Sequence, residues 1–336
     1  MEKRKTIAID MMGSDLGPVE LSKSVIRFIN ENKDYDVLLF GDSKTLISIF
    51  RDIGKSQVTI IESSSVIPME IKPLEFLRMK DSSMYMGISS IKEGRADAFI
   101  SAGSTGGIVT GSVSLLRLIE GTTKAGIVTC IPTLKDNPAI VMDIGANNSC
   151  LPEDFLSFAK MSKVLAKSIY KIDNPSIYLL SNGTEEGKGN EEVVNAYKLF
   201  KEKQVEGFKG NCEARDALDG DHHIIITSGF SGNIFLKSVE GTAKLFSTLL
   251  KKGFKKNIFT KIGYLFSKSA VNVVRNQFDY KKYGGAILLG VNGIVIKAHG
   301  NSDEKSFYSA LKVTKDMIES KLLDKVKEEI SNGTDK

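Results

Sequence analysis

Cysteine and histidine are scarce in this chain of 336 residues, and the common signatures of nucleotide and hydrolase chemistry are missing. The three cysteines, Cys130, Cys150 and Cys212, are odd in number and without CxxC spacing. Neither a disulfide framework nor a zinc site is indicated, and a reducing cytosol fits. Of the histidines His222, His223 and His299, two are adjacent and point to opposite faces of a strand, so no metal site is expected. No stretch reaches the roughly 18 consecutive apolar residues of a membrane span. The basic start MEKRKTIAID meets a Gly-rich turn after a short apolar run, which reads as a first strand rather than a signal peptide. SNGTEEGKGN falls short of a phosphate loop, because Gly183 and Gly187 are one residue too close and Gly189 stands where Ser or Thr should follow Lys188. No GxGxxG follows a strand and no GxSxG occurs, so neither a nucleotide nor any other cofactor is expected.

What is present is ordinary globular composition, 41% hydrophobic and 26% charged, enough for one large α/β domain or two smaller ones. Short β-branched runs alternate with helical patterns at 6–10, 36–40, 58–62, 97–101, 127–131, 140–144 and 177–181. That rhythm predicts a mostly parallel sheet covered on both faces. Further strands are expected at 223–227, 286–289 and 293–297, with a closing amphipathic helix from Ser302 to Ile330. One domain over 1–336 is the simplest organisation, with a helical excursion at 243–282.

Charge is distributed unevenly. Between Lys244 and Lys282 ten basic residues face one acid, Asp279, whereas the rest of the chain has 36 basic and 40 acidic residues. The basicity is a local feature, fit for an acidic partner or an anionic surface rather than for nucleic acid along the whole molecule.

Six segments place Gly with Ser, Thr or Asn at or just beyond a strand end: MGSDLGP, SAGSTGG, DIGANNS, SNGTEEGKGN, TSGFSGN and LLGVNG. In open parallel sheets the ligand crevice lies outside the carboxyl ends of the strands, where these loops should converge. Their backbone N–H groups can approach an anion closely. With backbone donors, hydroxyls, amides and a few cations but no nucleophile–base motif, such a site suits transfer of an already activated group to or from phosphate.

The strings IAIDMMGSDLGP, KPLEFLRMKDSSM, SAGSTGG, MDIGAN, LLSNGTEEGKGN, GFSGNIFLKSVEG and YGGAILLGVNGIVIKAHG together resemble the bacterial phosphate acyltransferase PlsX family, in the family's order and over essentially the whole chain. Small departures occur, such as Ser14 for a second glycine, Ser104 for Asn and Ser228 for Asp. The resemblance implies a Rossmann-like three-layer fold akin to phosphate acetyltransferases and isopropylmalate dehydrogenase. It further implies a homodimer that converts acyl carrier protein and inorganic phosphate to acyl phosphate, the feed for an acyl-phosphate:glycerol-3-phosphate acyltransferase in phospholipid synthesis. The competing expectations are a short-chain phosphate acyltransferase using acyl-coenzyme A and a non-catalytic membrane scaffold.

Four residues are expected to act in catalysis. Lys188, flanked by glycines, would neutralise phosphate or the oxyanion. Asn233 and Lys237 share one helical face at i, i+4. His299, after a strand, would serve as an acid towards the leaving thiolate or phosphate. Asp10, Gly13, Ser14, Ser104, Thr105, Gly106, Asn147, Asn190, Ser231 and Gly232 are expected to line the phosphate and substrate site, with the positioning of a lysine as the alternative role for Asp10. Lys251, Lys252, Phe254, Lys255 and Lys256 are expected at a hairpin tip around the Gly253–Asn257 break, docking acidic carrier protein and the anionic membrane. The protein is therefore expected in the cytoplasm, peripherally attached to the membrane.

Overall fold

A computed structural model describes residues 4–53, 56–277 and 283–332. The chain opens with β1 (Lys5–Asp10), α1 (Gly17–Glu31), β2 (Tyr35–Gly41), α2 (Ser43–Phe50), β3 (Val58–Glu62), α3 (Pro73–Phe76), α4 (Ser83–Lys92), β4 (Ala98–Ser101) and α5 (Thr105–Leu116). It continues with β5 (Gly126–Ile131), β6 (Ala139–Met142), α6 (Pro152–Ser168), β7 (Ile177–Ser181), α7 (Glu191–Glu202), β8 (Phe208–Glu213) and β9 (Ile224–Ile226). The long helices α8 (Gly229–Phe254) and α9 (Ile258–Gln277) precede β10 (Ala286–Leu289), β11 (Ile294–Lys297), α10 (Glu304–Glu319) and α11 (Leu322–Ser331).

The strands form one sheet in the order β3-β2-β1-β4-β11-β10-β5-β6-β9-β7-β8. Pairings are parallel except β10 with β11, β10 with β5 and β5 with β6. The links at 132–138 and 290–293 are too short for a parallel crossover, so each joins its strands as a hairpin. Between the edge strands β3 and β8, the strands are largely buried on both faces, as the near-continuous apolar runs require. In β1, Ile7 and Ile9 face a cluster that includes Val25, Phe155, Phe158 and Phe307, while Ala8 faces the other, with Phe76, Ile88, Ile108 and Phe235. Helices α1, α6, α7, α10 and α11 thus cover one face, and α3, α4, α5 and the start of α8 cover the opposite one. This is the three-layer α/β fold expected.

Three expectations need correction. β8 was not foreseen. It is an edge strand paired only with β7, and its sequence FKGNCE lacks a β-branched residue. The closing helix is two helices, because Lys321 takes a left-handed conformation with φ 53° and breaks the run. Its start is capped by Asp303, whose carboxylate accepts from Ser306 N, one residue after Ser302. The excursion expected from residue 243 belongs to a helix already running from Gly229, which turns at 255–257 into α9. Asp279, Lys281 and Lys282 of the basic segment lie outside the described residues. Among the described residues no helix is long and apolar enough to cross a membrane.

Candidate active site

Two buried carboxylates shape the loops at the strand ends. Asp10 accepts from Met12 N and Gly13 N through Oδ1 and from the Ser101 hydroxyl, 2.7 Å away, through Oδ2. Among the described residues no lysine pairs with it, unlike the expectation; its oxygens are occupied in folding the β1 loop onto β4. A Cβ on Gly13 would stand 2.8 Å from Gly103 N, so the two loops meet backbone to backbone. The Ser14 hydroxyl donates to Gly300 O at 3.2 Å and ties in the loop after β11.

Asp143 performs the same task for the loop after β6. Its carboxylate accepts from the backbone N–H of Ile127, Gly145, Ala146 and Asn147 and from the Asn147 side chain. Asn147 also donates to Ala125 O at 2.7 Å. The start of α8 rests on this loop at a separation only glycine permits: a Cβ on Gly232 would lie 1.9 Å from Asp143 O, and one on Gly229 2.4 Å from Asn147 O.

Between α5, α8 and the β10–β11 end lies a cleft of about 340 Å³. Its walls are apolar where Ile127, Ile131, Leu236 and Val239 face it, and polar where Thr105, Gly106, Asn233, Lys237, Glu240, Lys297 and His299 do. Ser104 does not line it. Its hydroxyl accepts from Gly107 N at 3.2 Å as the cap of α5 and donates to Met69 O at 2.8 Å. That cap leaves the first-turn N–H groups of Thr105 and Gly106 at the cleft, without intrahelical partners and at the positive end of the helix dipole.

The cations differ in their state. Lys237 is exposed and paired with Glu240 at 2.7 Å. Lys297 is part-buried and has no carboxylate partner among the described residues. Burial, then the charge of Lys237, hold its ammonium below the usual lysine pKa, with Asp15 and Glu240 opposing. Burial and the neighbouring Lys297 charge lower the pKa of His299 as well, which leaves its imidazole neutral at pH 7. Cys130 also touches the cleft, but its thiol is buried and pushed up to about 12. Burial does the same to Cys150 and Cys212.

Of the residues expected from sequence, the cleft thus gathers Thr105, Gly106, Asn233, Lys237 and His299. Asp10, Gly13, Ser14, Ser104 and Asn147 form the scaffold behind it. Ser231 and Gly232 sit in the first turns of α8. Asn190 caps α7 by accepting from Val193 N at 3.1 Å. Lys188 is exposed in the β7–α7 loop and is not part of the lining. Sequence reasoning missed Lys297 and Glu240; a lysine closing the apolar run GIVIK was the available signal.

At the far end of α8, Lys251, Lys252, Lys255 and Lys256 are exposed around the turn. Phe254 is not the exposed tip expected: it is part-buried, its ring 5.0 Å from that of Tyr264. The exposed apolar side chains there are Ile258 and Phe259, the latter 81% accessible.

A family model described as Fatty acid synthesis protein matches residues 5–325. The phosphate acyltransferase of Thermosipho melanesiensis is 40% identical over 98% of this chain and 97% of its own length. That of Mesoplasma florum is 38% identical over 97% and 99%, and that of Staphylococcus haemolyticus 35% over 96% and 98%. In fold the chain is similar to a phosphotransacetylase from Streptococcus pyogenes, with TM-score 0.62 at 15% identity over 95% of each chain. It is also similar to a branched-chain phosphotransacylase from Enterococcus faecalis, with TM-score 0.55 at 12% identity over 94% of this chain and 99% of that one. With relatives this similar along nearly the whole length, the chain belongs to the Fatty acid synthesis protein family, the PlsX family of phosphate acyltransferases.

Proposed function

We propose that this enzyme transfers a fatty-acyl group from acyl carrier protein to inorganic phosphate by direct attack on the thioester. The observation that carries the proposal is Lys297, a part-buried ammonium without a carboxylate partner among the described residues, in the cleft that the free amides of α5 also line and that Ile127, Ile131, Leu236 and Val239 wall on its apolar side. An unpaired buried cation is costly to retain, and an anionic ligand offsets that cost. Phosphate is held by Lys297 and the Thr105 and Gly106 amides. Its oxygen attacks the thioester carbonyl, the C–O bond forms, and the tetrahedral oxyanion takes hydrogen bonds from Asn233 and Lys237. Collapse breaks the C–S bond. Neutral His299 accepts the proton of hydrogen phosphate and passes it to the leaving thiolate, so the products are acyl phosphate and the free carrier thiol.

The hairpin of α8 and α9 supports the carrier-protein and membrane parts of the proposal. From Lys244 to Gln277 it has eight basic and no acidic residues, a surface suited to acidic carrier protein and anionic lipid. Cytoplasmic location with peripheral attachment, a single 336-residue domain, a homodimer and hand-over to an acyl-phosphate:glycerol-3-phosphate acyltransferase complete the proposal. Acyl-phosphate formation from palmitoyl-carrier protein and phosphate, measured beside palmitoyl- and acetyl-coenzyme A, tests it. Preference for acetyl-coenzyme A would replace it with the short-chain activity of the phosphotransacetylase kind.

A further inference from the structure

A second cavity, of about 490 Å³, lies between α8 and α9. On α8 it begins at Phe246, one turn beyond Ala243, the last α8 residue of the catalytic cleft. Leu236, Val239 and Ala243 of the cleft and Phe246, Leu250 and Phe254 of the groove follow at steps of three or four residues. At about 100° per residue they fall within an arc of about 80°, so one narrow apolar stripe walls both spaces. Tyr264 and Val271 of α9 close the groove opposite. The polar lining changes along the way. Near the cleft Lys237 is balanced by Glu240, whereas the groove's charged residues, Lys251, Lys255, Lys261 and Arg275, are all basic.

We propose that the cleft and the groove are one track and that its occupant is the hydrocarbon of a long acyl chain. The chain's carbonyl lies by Asn233 and its methyl end lies between α8 and α9. This rests on the acyl-transfer reading of the cleft and adds to it the place of the chain and a length preference. From Leu236 to Phe246 the helix rises about 15 Å, a distance that an extended palmitoyl chain spans and a butyryl group does not. Chain carbons beyond that point leave water for the Phe246, Leu250 and Phe254 surface, each buried methylene contributing about fourfold to binding. The basic far end favours an anionic surface at the exit, so the product's chain emerges where lipid would receive it.

The test fills the groove without touching the cleft. Ser247 lines the groove and is exposed, so Ser247→Trp meets no core; Thr248, exposed and turned about 100° or more from the stripe, gives the control Thr248→Trp. The first readout is the ratio of kcat/KM for palmitoyl- over butyryl-carrier protein. The second is the ratio of affinities for hexadecyl and butyl phosphate below micellar concentration, measured by calorimetry. Both ratios should fall on the order of tenfold in Ser247→Trp and stay at the parent value in Thr248→Trp. Unchanged ratios in a folded Ser247→Trp would overturn the track while leaving acyl transfer intact, and so would a parent with no preference for the long chain. If the parent forms no acyl phosphate from any donor, the transfer reading fails and the hexadecyl phosphate affinities alone decide the track.

Discussion

Replacing Lys297 by glutamine separates anion binding from folding, because the two effects have opposite signs. At about 4 Å and an effective dielectric of about 20, one unit charge contributes roughly 4 kcal/mol to holding a phosphate oxygen. Lys297 is only part-buried and water screens it, so we halve this to about 2 kcal/mol, or about 30-fold in kcat/KM for phosphate. Stability moves the other way. Burial and the charge of Lys237 hold the folded-state pKa below the unfolded one. The charged form is therefore penalised by folding; the penalty is fully present below the folded pKa and vanishes as pH rises through the unfolded pKa. At pH 7 Lys297→Gln should lower activity while leaving Tm equal or higher. In the parent, kcat/KM for phosphate should decline on the alkaline side before an ordinary lysine would titrate, and Lys297→Arg should move that limb upward. Phosphate-dependent release of carrier thiol and calorimetric Tm measure both effects. A matched fall of Tm and activity in Lys297→Gln, or an alkaline limb unmoved by arginine, would refute the assignment.

Gly232→Ala places a Cβ 1.9 Å from Asp143 O; α8 must back away, and a shift of about 1 Å at Asn233 should cost about 100-fold in kcat together with a lower Tm. With thiols near pH 12, only about one in 10⁵ is ionised at neutral pH, so a variant with Cys130, Cys150 and Cys212 all changed to Ala or Ser should turn over, and mass spectrometry should find no acylated side chain. Asn233→Ala and Lys188→Ala should each lower kcat about 100-fold. Lys188 lies outside the cleft that Asn233 lines, so near-normal turnover by a folded Lys188→Ala would leave that lysine to the β7–α7 loop alone. Changing Lys251, Lys252, Lys255 and Lys256 to Glu should abolish binding to anionic vesicles and raise KM for carrier protein, both effects shrinking as salt rises.

The layers were legible because doubly covered strands must be apolar throughout, and runs such as TIAID and AIVMD leave few alternatives. β8 was hidden for the converse reason: an edge strand gains from one neighbour only, and FKGNCE shows neither alternation nor branching. The antiparallel centre was readable in principle, since four residues between β10 and β11 cannot support a crossover. The Gly-rich loops converge only in part: those after β1 and β4 meet backbone to backbone, and Gly145 and Asn233 reach the cleft, whereas the Lys188 loop stays outside it and the LLGVNG turn packs against Arg117 and Leu118; most polar side chains within these loops cap helices or knit loops. Ser104 and Asn190 spend their hydrogen bonds on backbone groups, and Asp10 and Asn147 divide theirs between backbone groups and the side chains of Ser101 and Asp143. Short polar residues beside glycine read alike whether they hold a ligand or a turn, and only the paths of neighbouring strands separate the two. Lys297 escaped notice because its isolation from carboxylates is a property of space, not of spacing.

The seating of α8 on the Asp143 loop has a mechanical consequence. At 26 residues the helix is a rod of about 39 Å, seated at Gly232, with Phe254, packed on Tyr264 of α9, about 33 Å away. Asn233 stands one residue from that seat, an axial offset of about 1.5 Å. A swing of about 5 Å at the tip therefore displaces Asn233 by only about 0.2 Å on a rigid lever of those arms. On that geometry the far end can swing while Asn233, the donor proposed for the oxyanion, stays in register, so a displacement at the hairpin is attenuated before it reaches the cleft.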